Sequence, residues 1–143
     1  MTGEIILGYD GQSGSKAALR TATGIASAFR RPLVIVFGHR PAAIGGDVSD
    51  LGKAVRKVGE GLTQEARAIV NDLDASVDVE VEIVDLRPAD ALLAAADEHD
   101  ALAIVVGTTG QGPIKGALLG SVTYQVVHRS TRPVVVVPAA EES

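Results

Sequence analysis

The chain has 143 residues, a net charge of −5 from 13 Lys and Arg against 18 Asp and Glu, and no cysteine. An apolar fraction of 46% argues against disorder, and the missing cysteine excludes disulfides, thiolate nucleophiles and cysteine metal sites. With no basic stripe or aromatic platform, nucleic acid is not an expected partner. With no apolar run near the roughly 18 residues of a membrane span and no leader-like start, the expected setting is cytoplasmic, away from any membrane.

Aromatic residues make up 3% of the chain, so the core must come from Val, Ile, Leu and Ala, which suits a sheet covered on both faces. Glu4 to Tyr9 reads as a buried strand ended by Asp10-Gly11, and Ser13 or Ser15 is the expected cap of the helix that follows. Ala18, Ala22, Ile25 and Phe29 form its apolar stripe, Arg30-Arg31 suit its negative end, and Pro32 stops it. Leu33 to Phe37 is a second strand. A loop from Gly38 to Ser49 precedes a helix on Leu51, Val55, Val58, Leu62, Ala66, Ile69 and Leu73. Val77 to Val84 alternates apolar and acidic residues, as a strand near a sheet edge does. Pro88 opens a helix with Ala91, Leu92, Ala95 and Ala96 inward. Ala101 to Val106 is a strand, Ser121 to Arg129 a helix with Val122, Val126 and Val127 inward, and Val134 to Val137 a last strand between prolines.

Strict alternation of strand and helix predicts one α/β domain over 1–143, an open five-stranded parallel sheet with helices on both faces. Ligands of such sheets bind beyond the carboxyl ends of the strands, where the strand order reverses. Asp10 and Gly107 both stand just past strand ends, and they face one crevice if their strands are neighbours. The run Val106-Gly107-Thr108-Thr109-Gly110 and the step Gly120-Ser121-Val122-Thr123 place glycines and a helix start there. Glycine lets a backbone approach a ligand, and free helix amides favour an anion. On the residues alone an ordinary turn with Ser121 as a plain cap remains an equal account, as does Asp10 as a turn residue. Asp10 as a ligand contact would accept from a ribose hydroxyl or base amine, or help hold magnesium. The P-loop pattern is absent, and so is the dinucleotide Gly-x-Gly-x-x-Gly turn after the first strand.

The spacing Gly107, two residues, Gly110, nine residues, Gly120, Ser121 is similar to that of the universal stress protein family (UspA-like domains) in its ATP-binding branch. The start Ile5 to Gly11 with Ser15 and Ala18-Leu19, and the ending Thr131 to Val137, resemble that family as well. The resemblance implies the adenine nucleotide alpha hydrolase-like fold with strand order 3-2-1-4-5, and ATP as ligand with magnesium or manganese. It implies Tyr9 and Asp10 against the adenosine portion and Leu33 on the adenine side. Val106, Gly107 and Gly110 would form the ribose and phosphate loop, and Gly120, Ser121, Val122 and Thr123 the phosphate contacts. It further implies a homodimer through Val134 to Val137, an unidentified protein partner, and a regulatory stress-response role exerted through nucleotide occupancy. Slow ATP hydrolysis or self-phosphorylation, and a nucleotide-free dimeric scaffold, are the alternatives. Lys115 is the sole cation between Gly110 and Gly120, which shifts the expected phosphate contacts onto backbone donors and metal.

No nucleophile, base and orienting group stand together in the sequence, so no catalytic residue is assigned. His39, His99 and His128 lack zinc-ligand spacing, and no metal ligand is assigned. His99 with Asp97, Glu98 and Asp100 reads as a solvated helix end, and Asp85 as a turn residue.

Overall fold

The computed structural model describes residues 3–11, 13–38, 48–73, 76–108 and 119–139. Strands β1 (Ile5–Gly8), β2 (Leu33–Gly38), β3 (Val79–Val84), β4 (Ala103–Gly107) and β5 (Val134–Val137) alternate with helices α1 (Ser13–Phe29), α2 (Val48–Asp72), α3 (Pro88–Glu98) and α4 (Ser121–Arg129). All strand pairings are parallel and the order is β3-β2-β1-β4-β5, as expected. Ile5 stands beside Leu33 on one side and Ala103 on the other, which makes β1 the centre of the sheet.

Side chains alternate across the sheet and divide the core in two. Ile5, Leu7, Leu33, Ile35 and Val105 pack under α1 and α2, against Leu19, Ala22, Ala26, Ala66 and Val70. Ile6, Val34, Val36, Ile104 and Val106 pack under α3 and α4, against Ala91, Leu92, Ala95 and Val126. Alanine dominates the helix side of both layers, and its small side chain lets each helix lie close to a valine-rich sheet.

Four of the expected core residues that are described lie outside the core, among them Leu73 just past α2, which is 39% exposed. Phe29 is 60% exposed, because the last turn of α1 extends past the layer that Ala26 closes. Val58 is 56% exposed with Lys53, Arg56 and Lys57 exposed around it, and among its described residues α2 meets the core in its second half, through Ala66, Ile69 and Val70. Val127 turns outward while Thr123 and Val126 face in.

Helices α1 and α3 end in the same way. Arg31 N–H donates to Ala26 O and Arg30 N–H to Ser27 O, with Arg30 at φ 55°. Ala101 N–H donates to Ala96 O and Asp100 N–H to Asp97 O, with Asp100 at φ 49°. This is the Schellman closure, here built on residues other than glycine. The residue that α3 leaves at its end, His99, is not solvated. Its side chain is 16% exposed, Nε2 donates to Glu82 Oε1 at 2.6 Å, and Nδ1 lies 3.6 Å from Glu4 Oε2. Arg132 bonds Asp100 and the Ala101 carbonyl, both at 3.0 Å, and ties the turn before β5 to the same corner.

One glycine contact fixes how α1 leaves the sheet. A Cβ on Gly107 would lie 2.8 Å from the carbonyl carbon and oxygen of Gly14. The end of β4 and the first turn of α1 therefore touch backbone to backbone.

Three outcomes follow from this packing. The hydrogen bond that His99 donates to Glu82, opposed by burial and aided by the charges of Glu82, Glu4 and Glu80, raises the His99 pKa above its ordinary 6.5. A folded-state pKa above the unfolded one gives stability that is complete below about pH 6.5 and is lost as pH rises through the folded value. Thermal melts from pH 5.5 to 9 should show this decline in the native protein and a flatter profile in His99→Gln; equal profiles would refute the linkage. Gly107→Ala should destabilise by about 1–3 kcal/mol, since backbone must move to admit the methyl. Gly24→Ala, in mid-α1 with nothing within 4 Å of the new Cβ, should stabilise by about 1 kcal/mol in the same denaturation assay.

Candidate functional site

The chain order makes a crevice where β1 and β4 lie side by side. Helix α1, which follows β1, turns to one face, and α4, which follows β4, turns to the other. Above their carboxyl ends is a cleft of about 510 Å³, within the usual size of a small-molecule site.

Its floor is Gly8, Tyr9 and Asp10 at the end of β1. Tyr9 is 4% exposed and belongs to the core under α1 and α2, where its hydroxyl donates to Glu65 of α2. Burial first, and then the Glu65 carboxylate, push its phenol well above the ordinary tyrosine range, so it stays protonated. Gly11 takes φ 81° directly after Asp10, and a Cβ there would also meet Leu62 of α2 at 2.8 Å. The chain therefore turns off β1 sharply, which leaves Asp10 exposed at the cleft.

One wall is apolar. Val36, Phe37 and Gly38 at the end of β2 meet Pro88 and Leu92 of α3. The opposite wall is polar backbone: Val106 and Gly107 of β4, then Gly120, Ser121, Val122 and Thr123 at the start of α4. Gly120 is the N-cap and brings no side chain to cap the helix. The first-turn amides of Ser121, Val122 and Thr123 thus suit an acceptor in the cleft, and the helix dipole favours an anion there by about 0.3–2 kcal/mol. The wall is braced internally. Thr123 Oγ1 donates to Gly107 O at 2.5 Å, Gly120 N–H to Thr108 O at 2.7 Å, and Thr108 N–H to Val137 O at 2.9 Å. Among the described residues no Lys or Arg lines the cleft, and no group of three or more His, Asp or Glu is arranged to hold a metal ion.

Of the site residues expected from sequence, Tyr9, Asp10, Val106, Gly107, Gly120, Ser121, Val122 and Thr123 all line this cleft. Gly110 lies outside the described residues, as do Thr109, Lys115 and His39. Leu33 is not at the cleft. It pairs with Ile5 at the opposite end of the sheet and is fully buried in the core. The part of β2 that does line the cleft is its carboxyl end, Val36 to Gly38. Gly107 does line the cleft, but its missing Cβ makes room for Gly14. Ser121 does not cap α4; its Oγ accepts from Gln125 Nε2 at 3.2 Å. Thr123 is buried and spends its hydroxyl on the Gly107 carbonyl. Asp85 is exposed and does not line the cleft.

Sequence reasoning missed Gly8, Val36, Phe37, Gly38, Pro88 and Leu92, and gave Ser15 no place in the site. The rule that ligands sit beyond carboxyl strand ends points to Phe37 and Gly38, and to Pro88 as the first residue of a helix that starts at that end. Ser15 is within the first turn of α1 rather than at its cap, and its hydroxyl is turned onto Asp10.

Among the described residues no helix is long and apolar enough to cross a membrane. A universal stress protein from Thermus aquaticus is 30% identical over 133 residues, covering 93% of this chain and 96% of its own length. The crystal structure of a universal stress protein in complex with cAMP is 30% identical, with a TM-score of 0.70 and coverage of 97% of this chain and 98% of that one. A universal stress protein from Archaeoglobus fulgidus in complex with dAMP shares the fold at 22% identity, with a TM-score of 0.71 and coverage of 94% and 97%. The profile of the universal stress protein family matches residues 1–138, from before β1 to the residue after β5. With this match, the strand order and the spacing from Gly107 to Ser121 all in agreement, the chain belongs to the universal stress protein family.

Proposed function

We propose that this protein binds an adenine nucleotide in the cleft between β1 and β4, with ATP as the ligand, and that nucleotide occupancy regulates a stress-response function. The observation that carries the proposal is the chemical polarity of the cleft. An apolar wall of Val36, Phe37, Pro88 and Leu92 suits a flat base, and the start of α4 suits a phosphate, with Asp10 between them. The cAMP complex of a relative 30% identical to this chain supports the nucleotide class. The first-turn amides of α4 would take one phosphate of the triphosphate, and magnesium or manganese would accompany the others. The setting is cytoplasmic.

The proposal extends to a homodimer through β5. This strand is at the sheet edge, and Val134, Val135 and Val136 are only half-buried in the single chain. An edge with unpaired backbone groups and apolar side chains is suited to pairing with a second copy.

Isothermal titration of nucleotide-stripped protein with ATP, ADP, AMP and cAMP should give saturable heats, and ATP should bind most tightly. Absence of heat for all four at millimolar ligand would overturn the reading, and tightest binding of cAMP or AMP would replace ATP. Sedimentation equilibrium should show a dimer that Val135→Lys converts to monomer. A monomeric native protein would remove the dimer.

A further inference from the structure

Ser15 stands in the first turn of α1 and is 7% exposed. That turn is held in place, because the backbone of its neighbour Gly14 abuts Gly107. From this position the Ser15 hydroxyl donates to Asp10 Oδ1 at 2.7 Å and accepts from the Asp10 backbone N–H at 3.3 Å. One buried oxygen therefore grips Asp10 at both its main chain and its carboxylate. The carboxylate has its direction set by a rigid helix turn before any ligand arrives.

Position then determines what this carboxylate meets. The apolar wall of β2 and α3 lies on one side of Asp10, and the amides of α4 on the other. In a nucleotide the group between base and phosphate is the sugar. An ionised carboxylate only accepts hydrogen bonds, so it recognises the sugar through its hydroxyls. A bond to a charged acceptor is strong only when the acceptor is already aimed, because ordering it on binding would consume part of the gain.

We infer that Ser15 is a positioning residue that aims Asp10 at the ribose hydroxyls, and so sets the preference for ribonucleotides over sugars lacking those hydroxyls. The inference rests on the nucleotide reading above. The glycine contact between α1 and β4 is part of the device, since it fixes the helix turn that carries Ser15.

The test measures affinity for ATP and AMP, each beside its 2′,3′-dideoxy counterpart. The native protein should prefer each ribonucleotide by about tenfold or more, the worth of a hydrogen bond to a charged group. Ser15→Ala should lose that preference by weakening ribonucleotide binding about tenfold while the dideoxy affinities stay within about twofold. Ser15→Thr, which keeps a hydroxyl, should restore the preference. Asp10→Asn should lose it as well, and adding Ser15→Ala to Asp10→Asn should cost nothing more. Equal weakening of both sugar types by Ser15→Ala, additive losses in the double variant, or a preference that survives Asp10→Asn would each overturn the proposal. If the native protein binds every nucleotide without regard to the sugar, Ser15 has no such role while the nucleotide reading stands. If it binds none of the four, both fall.

Discussion

The parallel pairing of β1 with β4 is the constraint on which the rest of this structure depends. These strands are separated in sequence by two strands and three helices, yet Ile5, Ile6 and Leu7 lie in register with Ala103, Ile104 and Val105. Right-handed crossovers then send α1 to one face and α4 to the other. Two chain segments that leave adjacent strands in opposite directions must part, and the gap between them is the cleft. Its polarity follows from the same geometry. The end of β4 feeds a helix start with an uncapped first turn, while β2 and α3 close the far side with apolar side chains.

Rigidity at the cleft comes from backbone contact more than from side-chain packing. Gly107 against Gly14, Gly120 N–H on Thr108, and Thr108 N–H on Val137 form a run of close main-chain contacts from α1 through β4 to β5. Tyr9 adds a second tie, from the floor of the cleft through Glu65 to α2. Lys16 also approaches Glu65, at 3.7 Å. That pair is exposed and contributes little, about 0–1 kcal/mol, beside the buried tyrosine.

The order of elements was legible because each strand is a short apolar run and each helix has a marked boundary. Pro88 opens α3, Gly120-Ser121 opens α4, and Pro32 follows α1. Burial along the helices was less legible. Periodicity shows which residues share a stripe, but not where the layer beneath the stripe ends, and Phe29 and Val58 lie where it has already ended. The polar half of the cleft was readable from glycine spacing, because one continuous segment supplies it. The apolar half was not, since the end of β2 and the start of α3 are about fifty residues apart and neither carries a distinctive pattern. The acidic patch around His99 misled for a related reason. Its exposed neighbours Asp97, Glu98 and Asp100 are adjacent in sequence, whereas the two carboxylates beside the ring are distant in sequence: Glu82 comes from β3 and Glu4 from the residue before β1.

The two edges of the sheet are unlike. On β3 the residues Glu80 and Glu82 place charge along the outer strand, which discourages another chain from adding there. On β5 the four residues are all valine, a composition that in other settings templates amyloid-like growth. Pro133 and Pro138 bracket it, and neither has an N–H to extend a ladder. Any strand that adds to this edge meets a pairing surface four residues long and no more. That length suits one short, self-limiting association, and gives a growing fibril little to build on.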